Sequence, residues 1–320
     1  AHAASAGVSG ARAAYIAGCA GTSCTLAGKR FGIPVTGTMA HSWVQNFDTE
    51  LEAFEAYARQ FPQNCVLLVD TYNTLQSGVP NAIKAFDSVV VPAGFRPRAI
   101  RIDSGDITYL SKKARRMLDE AGYPDCEIIA SNSVDEYIIR DLFIEGARVD
   151  MFGVGERLIT ASSDPVFGGV YKLSALADET GTLQPRIKLS DNVSKVTIPC
   201  RKQVWRLFDR HTGKALADVV TKFDEVVDDR GDYEIFDPDH TWKRKTVTDF
   251  IARPMLHPVM QDGKCVYGRP SIEEIRAYAA EQNATLWDEV CRLENPHAYY
   301  VDLSAPLWEE RDRLLKKHAL

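Results

Sequence analysis

The chain has 320 residues, 45% of them hydrophobic and 26% charged, with a formal net charge of −6. This is long enough to bury a large core and to divide into more than one domain. The acidic balance argues against a nucleic-acid-coating surface, leaving room for a local basic pocket that takes phosphate. No apolar run reaches the ~18 residues of a membrane span, and no signal-peptide pattern is present. The seven cysteines are scattered without C-x-x-C or metal-like spacing, which suits a reducing, cytoplasmic setting.

The chain opens at Ala1 in a helix-like segment, GVSGARAAYIAG, and the expectation is that an N-terminal part is missing. From residue 30 to 155, short apolar runs alternate with helical patterns. Strands are expected at IPV (33–35), VLLV (66–69), AIRI (99–102), EIIA (127–130) and VDMF (149–152). A helix follows an Asp48 cap, with Leu51, Phe54, Ala58 and Phe61 on one face. PNAIKAF opens with Pro80 near its first turn. ITYLSKKARRMLDEAG stops at Gly122, as a C-cap does. SVDEYIIRDLFIEG carries a capping-box pattern, Ser133 with Glu136. Strand starts lie roughly 30 residues apart, one βα unit each. Such doubly apolar strands belong to a parallel sheet covered on both faces, or to a barrel.

Beyond residue 168 the pattern becomes that of hairpins. GGVYKLSAL and LQPRIKLS flank ETGT; QVWRLFD and KALADVV flank RHTG. Two capped helices come next, SIEEIRAYAAEQ with a Ser271/Glu274 box and SAPLWEERDRLLKK after Ser304. There is no internal repeat and no low-complexity segment.

The residues just past each early strand carry the most information. After the first strand comes His41, then Asp70, then Asp103 with Arg101 on the strand itself, then Ser131 and Asn132, then Gly153 and Gly155. Each has a plain structural alternative. His41 can be a satisfied loop histidine, and Asp70 and Asp103 can be N-caps. Arg101 can be an exposed strand residue, Ser131–Asn132 a turn, and FGVG a tight turn. Their coincidence on the C-terminal edge of consecutive strands, where sites of parallel α/β folds form, favours a site for a phosphate-bearing ligand.

GTMAHSWVQNF, LLVDTYNTLQSGVPNAIKAF, RPRAIRIDSGDITYLSKKARRMLDEAG, IIASNSVDEYII, VDMFGVGERLITA and GGVYKLSAL occur in this order, continuing through KVTIPCRKQVWRLFD to YYVDLSAPLWEERDRLL. Together they resemble the nicotinate phosphoribosyltransferase family over nearly the whole chain. The resemblance implies an α/β fold: an irregular (β/α) barrel of the type II phosphoribosyltransferase kind with a smaller mixed α+β domain. The expected division is a barrel core at 1–175, a β-rich segment at 176–250 packing with an absent N-terminal domain, and C-terminal loops and helices at 251–320.

It also implies the union of nicotinate with 5-phosphoribosyl-1-pyrophosphate, coupled to ATP through a phosphohistidine. The implied catalytic set is His41 as phosphate carrier, Asp70 as acceptor for its second nitrogen, and Asp103. The implied substrate-binding set is Thr38, Ser42, Tyr72, Arg101, Ser104, Ser131, Asn132, Gly153 and Gly155, with Lys188 and Lys195 as further phosphate contacts or solvated surface. Mg²⁺ and ATP are expected as reaction partners, with no resident protein metal site and no tightly bound organic cofactor. A homodimer with a shared site is expected, and a separate N-terminal segment stays open as a partner; nucleic acid and membrane are not expected. Two rivals remain: a nicotinamide or quinolinate phosphoribosyltransferase, and a non-catalytic phosphoribosyl-binding subunit.

Overall fold

A computed structural model describes residues 3–162, 164–166, 168–192 and 195–318. The chain divides into two compact units, Ala1–Val166 and Phe167–Leu320.

The first unit begins with α1 (Ala4–Ile16) and α2 (Thr25–Phe31), the latter closed by Gly32 at φ +75°. The expected strand at 33–35 does not form. Pro34 has no N–H to give a ladder, and only Val35 makes a single parallel bridge, to Thr22. Then come α3 (His41–Gln45) and α4 (Glu50–Gln60). The cap of α4 is Thr49, not Asp48: Thr49 Oγ1 accepts the N–H of Glu52, and the Glu52 carboxylate accepts the N–H of Thr49. The reciprocal box satisfies two end donors, where Asp48 would have satisfied one. Ala53, Phe54 and Ala58 form the buried stripe of α4, while Phe61 falls beyond its end and is exposed.

Four strands follow: β1 (Val66–Leu68), β2 (Ala99–Ile102), β3 (Glu127–Ala130) and β4 (Met151–Phe152). They lie side by side in chain order, all parallel, with Val66 opposite Ala99 and Ala99 opposite Glu127. This sequential order is found both in a barrel wall and within one half of a doubly wound sheet. Leu67, Leu68, Ile100, Ile102 and Ile128 are fully buried, as strands covered on both faces require.

Between β1 and β2, α5 (Val79–Ala85) is flanked by π-helical turns at Thr74–Gly78 and Phe86–Val90. Phe54 of α4 and Phe86 pack into the core that this layer shares with the sheet; truncating either to Ala costs about 3–5 kcal/mol. Next, α6 (Ile107–Glu120) starts at an Asp106 cap, and Gly122 past its end stands at φ +85°. α7 (Glu136–Ile144) is capped by Asp135, whose carboxylate accepts the N–H of Ile138. The expected Ser133/Glu136 box is therefore absent: Ser133 lies outside the helix at φ +50°, in a left-handed turn. α8 (Glu156–Ile159) closes the unit.

The second unit starts with the expected hairpin, β5 (Ala175–Ala177) and β6 (Leu183–Pro185). Its main sheet pairs β7 (Lys202–Asp209) with β8 (Ala215–Lys222) around the RHTG turn. There the Asp209 carboxylate accepts the N–H groups of His211 and Thr212, and Gly213 takes φ +68°. After β9 (Tyr233–Phe236) and β10 (Arg244–Val247), β11 (Phe250–Pro254) adds to the outer side of β7. β12 (Met260–Gln261) and β13 (Lys264–Cys265) make a short hairpin. α9 (Ile272–Ala284) carries the expected Ser271/Glu274 box, β14 (Val301–Leu303) joins β8 in parallel, and α10 (Ala305–His318) ends the unit. Side chains on β8 alternate between buried and half-buried, as on a sheet with one face turned to a core. Arg206 and Asp218 face each other across β7 and β8 in a two-pronged ion pair, at 2.8 and 2.9 Å, and the Tyr299 hydroxyl donates to the same carboxylate.

Among the described residues no helix is long and apolar enough to cross a membrane. Among the described residues no disulfide joins any of the seven cysteines.

Candidate active site

His41 is the first residue of α3, and its side chain is 39% exposed. Its ring is held from two sides. Nδ1 lies 3.0 Å from the Thr71 hydroxyl. Nε2 faces two carboxylates, Asp103 Oδ2 at 3.6 Å and Asp70 Oδ1 at 4.0 Å. Asp70 thus stands near the ring without hydrogen-bonding to it, and the direct partner is Thr71, one residue further on.

Asp70 is used elsewhere. Its Oδ2 accepts the main-chain N–H of Asp103 at 3.0 Å and the hydroxyl of Ser104 at 2.5 Å. The side chain is only 2% exposed, and its other oxygen, Oδ1, is buried with no hydrogen-bond partner. An orphaned buried carboxylate oxygen asks for a proton donor or a cation. Neither Asp70 nor Asp103 caps a helix; those roles fall to Asn73 and Asp106.

Asp103 leaves β2 beside Arg101. Its Oδ1 accepts Arg101 Nη2–H at 2.9 Å and the Ser131 hydroxyl in a short contact, and Arg101 Nε–H donates to Ser131 Oγ at 2.9 Å. Burial alone would raise the Asp103 carboxyl. The hydrogen bonds from Ser131 and Arg101, with the nearby charge of Arg101 and His41, outweigh it and hold the group below the usual range. Asp103 is the anion of this site, and Arg101 is its counter-ion.

After β3 the chain makes a turn in which Asn132 (φ +89°) and Ser133 (φ +50°) are both left-handed. Two successive non-glycine residues in that region are held by their surroundings, a feature that gathers at functional sites. Gly153 packs on Ser131: a Cβ there would come within 3.2 Å of the Ser131 Cβ. Around Gly155, at the start of α8, the space is open.

Of the residues expected from sequence, His41, Asp70, Arg101, Asp103, Ser104 and Ser131 form one connected cluster, with Gly153 against Ser131. Ser42 and Tyr72 are exposed neighbours of His41 and Thr71 in the chain. Asn132 is exposed in the strained turn. Thr38 is not brought to the cluster; its hydroxyl donates to Val66 O, at the opposite end of β1 from Asp70. Lys188 and Lys195 are exposed in the second unit, and the Lys188 ammonium donates to Leu189 O. Thr71 was missed, although its place beside Asp70 in VDTYNTL was the available signal. Among the described residues, no group of three or more His, Cys, Asp or Glu side chains is arranged to hold a metal ion.

Parallel strands wound in sequence, with an imidazole, carboxylates and an arginine gathered after them, define an α/β fold with a candidate active site at the C-terminal ends of its strands. Residues 2–197 match the nicotinate phosphoribosyltransferase (NAPRTase) family, and residues 201–311 match the nicotinate phosphoribosyltransferase C-terminal domain. The chain belongs to the nicotinate phosphoribosyltransferase family. It is 44% identical to the nicotinate phosphoribosyltransferase of Bacillus subtilis (strain 168), over 92% of this chain and 60% of that protein. To that of Dictyostelium discoideum it is 32% identical, over 90% and 57%. The crystal structure of human nicotinic acid phosphoribosyltransferase superposes with a TM-score of 0.73 at 26% identity, covering 95% of this chain and 66% of that one. The chain spans about 60% of the length of the curated relatives it matches.

Proposed function

We propose that the protein joins nicotinate to 5-phosphoribosyl-1-pyrophosphate, giving nicotinate mononucleotide and pyrophosphate, and couples this to ATP hydrolysis through His41. One observation carries the reading: the partly exposed imidazole of His41 is gripped on one nitrogen by a hydroxyl and faced on the other by two carboxylates. A ring nitrogen of neutral His41 attacks the γ-phosphorus of ATP. The N–P bond forms as the bond to the bridging oxygen breaks, and ADP leaves with that electron pair. Positive charge arising on the ring is balanced by Asp70 and Asp103. In the transfer step the pyridine nitrogen of nicotinate bonds to ribose C1 while the C1–O bond to pyrophosphate breaks, and pyrophosphate leaves with the pair. Water then takes the phosphoryl group from His41 as phosphate, and the pair returns to the ring nitrogen.

Arg101 suits the carboxylate or phosphate of the substrates because its fork is planar and bidentate. Asp103 takes ribose hydroxyls in this reading, and the turn at Ser131–Asn132 with Gly153 and Gly155 cradles the 5′-phosphate. Ser131 acts chiefly by orienting Asp103 and Arg101. Magnesium, when bound by the phosphates and by Asp70 or Asp103, supplies charge neutralisation. The same reading makes the protein a cytoplasmic homodimer with a shared site; seven scattered cysteines and an acidic charge suit that compartment.

The test is intact-protein mass spectrometry after incubation with Mg-ATP, comparing wild type with His41→Ala. An acid-labile added phosphate that the variant lacks is expected. The same phosphate on the variant, or none on either protein, overturns the role of His41.

A further inference from the structure

The geometry at His41 depends on a segment that this chemistry does not touch. Asp70 and Thr71 leave β1, and within three residues the chain enters the π-helical turn Thr74–Gly78. The wide turn closes when Gly78 N–H donates to Asn73 O, five residues back, at 2.8 Å. Asn73 Oδ1 also accepts the Gln76 N–H at 2.9 Å. The turn lays Gly78 directly on the main chain of Val69. A Cβ at position 78 would stand 1.7 Å from Val69 O and 2.7 Å from Val69 C. With φ −58°, Gly78 is an ordinary helical residue, so glycine is required here for space and not for backbone freedom.

Neither side can yield. Val69 is fully buried, and its N–H is tied to Arg101 O at 3.0 Å, on the strand that carries the Arg101–Asp103 pair. Behind Gly78, Val79 and Ala82 are fully buried in the core. Interiors packed this densely pass a displacement on to their neighbours. The Val69 carbonyl belongs to the peptide that leads into Asp70, whose carboxylate faces His41 Nε2, and then into Thr71, whose hydroxyl meets Nδ1.

We propose that Gly78 is a positioning residue: by standing flat on the Val69 carbonyl it fixes the peptide from which Asp70 and Thr71 reach the His41 ring. This deepens the proposed function and takes its importance from it, since His41 is the working group there.

The test uses the protein labelled with [15N]histidine, with His41 assigned by comparison with His41→Gln. In Gly78→Ala the His41 Nδ1 resonance is expected to move toward that of an imidazole without its hydroxyl partner. Phosphorylation of His41 by Mg-ATP is expected to slow on the order of 10–100-fold, as a misplacement near 1 Å does. Gln76→Ala, on the exposed side of the same turn, is expected to leave both unchanged. A merely structural glycine would lower the melting temperature of Gly78→Ala and leave the His41 resonance of the folded protein in place; that result overturns the proposal. If Gly78→Ala does not fold, Asn73→Ala decides, because Asn73 is exposed and holds the same turn. A moved His41 resonance in that variant supports the role of the turn, and an unmoved one overturns it. Absence of phosphate on wild-type His41 sinks the proposed function instead, and the resonance comparison still judges Gly78.

Discussion

Asp70 turns one oxygen of its buried carboxylate onto the main-chain N–H of Asp103, 3.0 Å away. The end of β1 therefore holds the backbone at the end of β2, and the two carboxylates that face His41 are set by one another.

Asp70→Ala leaves that N–H without its partner, which costs about 1–3 kcal/mol. Asp70→Asn keeps an acceptor oxygen for Asp103 and removes only the charge opposite His41. The Asn variant is expected to melt close to wild type and to phosphorylate far more slowly, while the Ala variant loses both. Calorimetry beside the mass-spectrometric phosphorylation assay separates the two contributions.

Thr71 is the direct partner of His41 Nδ1. Thr71→Val keeps the shape and deletes the hydroxyl, removing a bond of about 0.5–1.5 kcal/mol. Phosphorylation is expected to slow up to about tenfold, in line with that energy. Thr71→Ser is expected to restore the rate. A Ser variant as slow as Val would mean that the methyl packing matters and the hydroxyl does not.

Asp103 is held below its ordinary value of 3.8 because the hydrogen bonds from Ser131 and Arg101 outweigh the opposing effect of burial. A depressed carboxylate contributes stability that is present above the unfolded value and lost as pH falls through the folded one. Ser131→Ala raises the folded value toward the unfolded one, so the variant is less stable than wild type above 3.8 and the gap between them closes as pH falls below it. Urea titrations between about pH 3 and pH 5 measure this; curves that keep the same spacing at every pH would exclude Ser131 as the cause.

In the second unit, Arg206→Met strips Asp218 of both guanidinium bonds and leaves it only Tyr299. The loss is expected to be about 2 kcal/mol, from hydrogen bonds to a charged group. Adding Asp218→Leu is expected to recover much of it, since an apolar pair in such a place is close to neutral. A double-mutant cycle by urea unfolding reports the coupling.

The strands β1 to β4 were legible because a parallel strand covered on both faces is one apolar run, and the polar residue that ends it is conspicuous. That rule found Asp70, Asp103 and Ser131, which follow β1, β2 and β3. It failed at IPV, where the run is as apolar but Pro34 has no donor for a ladder. Caps were misplaced wherever two capping residues compete within a step or two. Thr49 wins over Asp48 because Glu52 answers it, and Asp135 wins because Ser133 is drawn into a left-handed turn. Thr71 and Gly78 were hidden for another reason: their roles depend on which way the chain turns after β1. A π-turn closes five residues back and leaves no apolar period in the sequence.

The winding of the first unit also bears on how the site comes into being. Strands that neighbour each other in space are neighbours in the chain, so every contact among His41, Asp70, Thr71, Arg101, Asp103 and Ser104 is made within residues 41–104. Contacts confined to the first unit do not wait for the second to be made. On the ribosome, this histidine with its hydroxyl and carboxylates can assemble once the first unit has emerged, while the downstream unit is still unmade. Ser131 and Gly153 arrive with the later strands, and Ser131 completes the cluster by fixing Asp103 and Arg101.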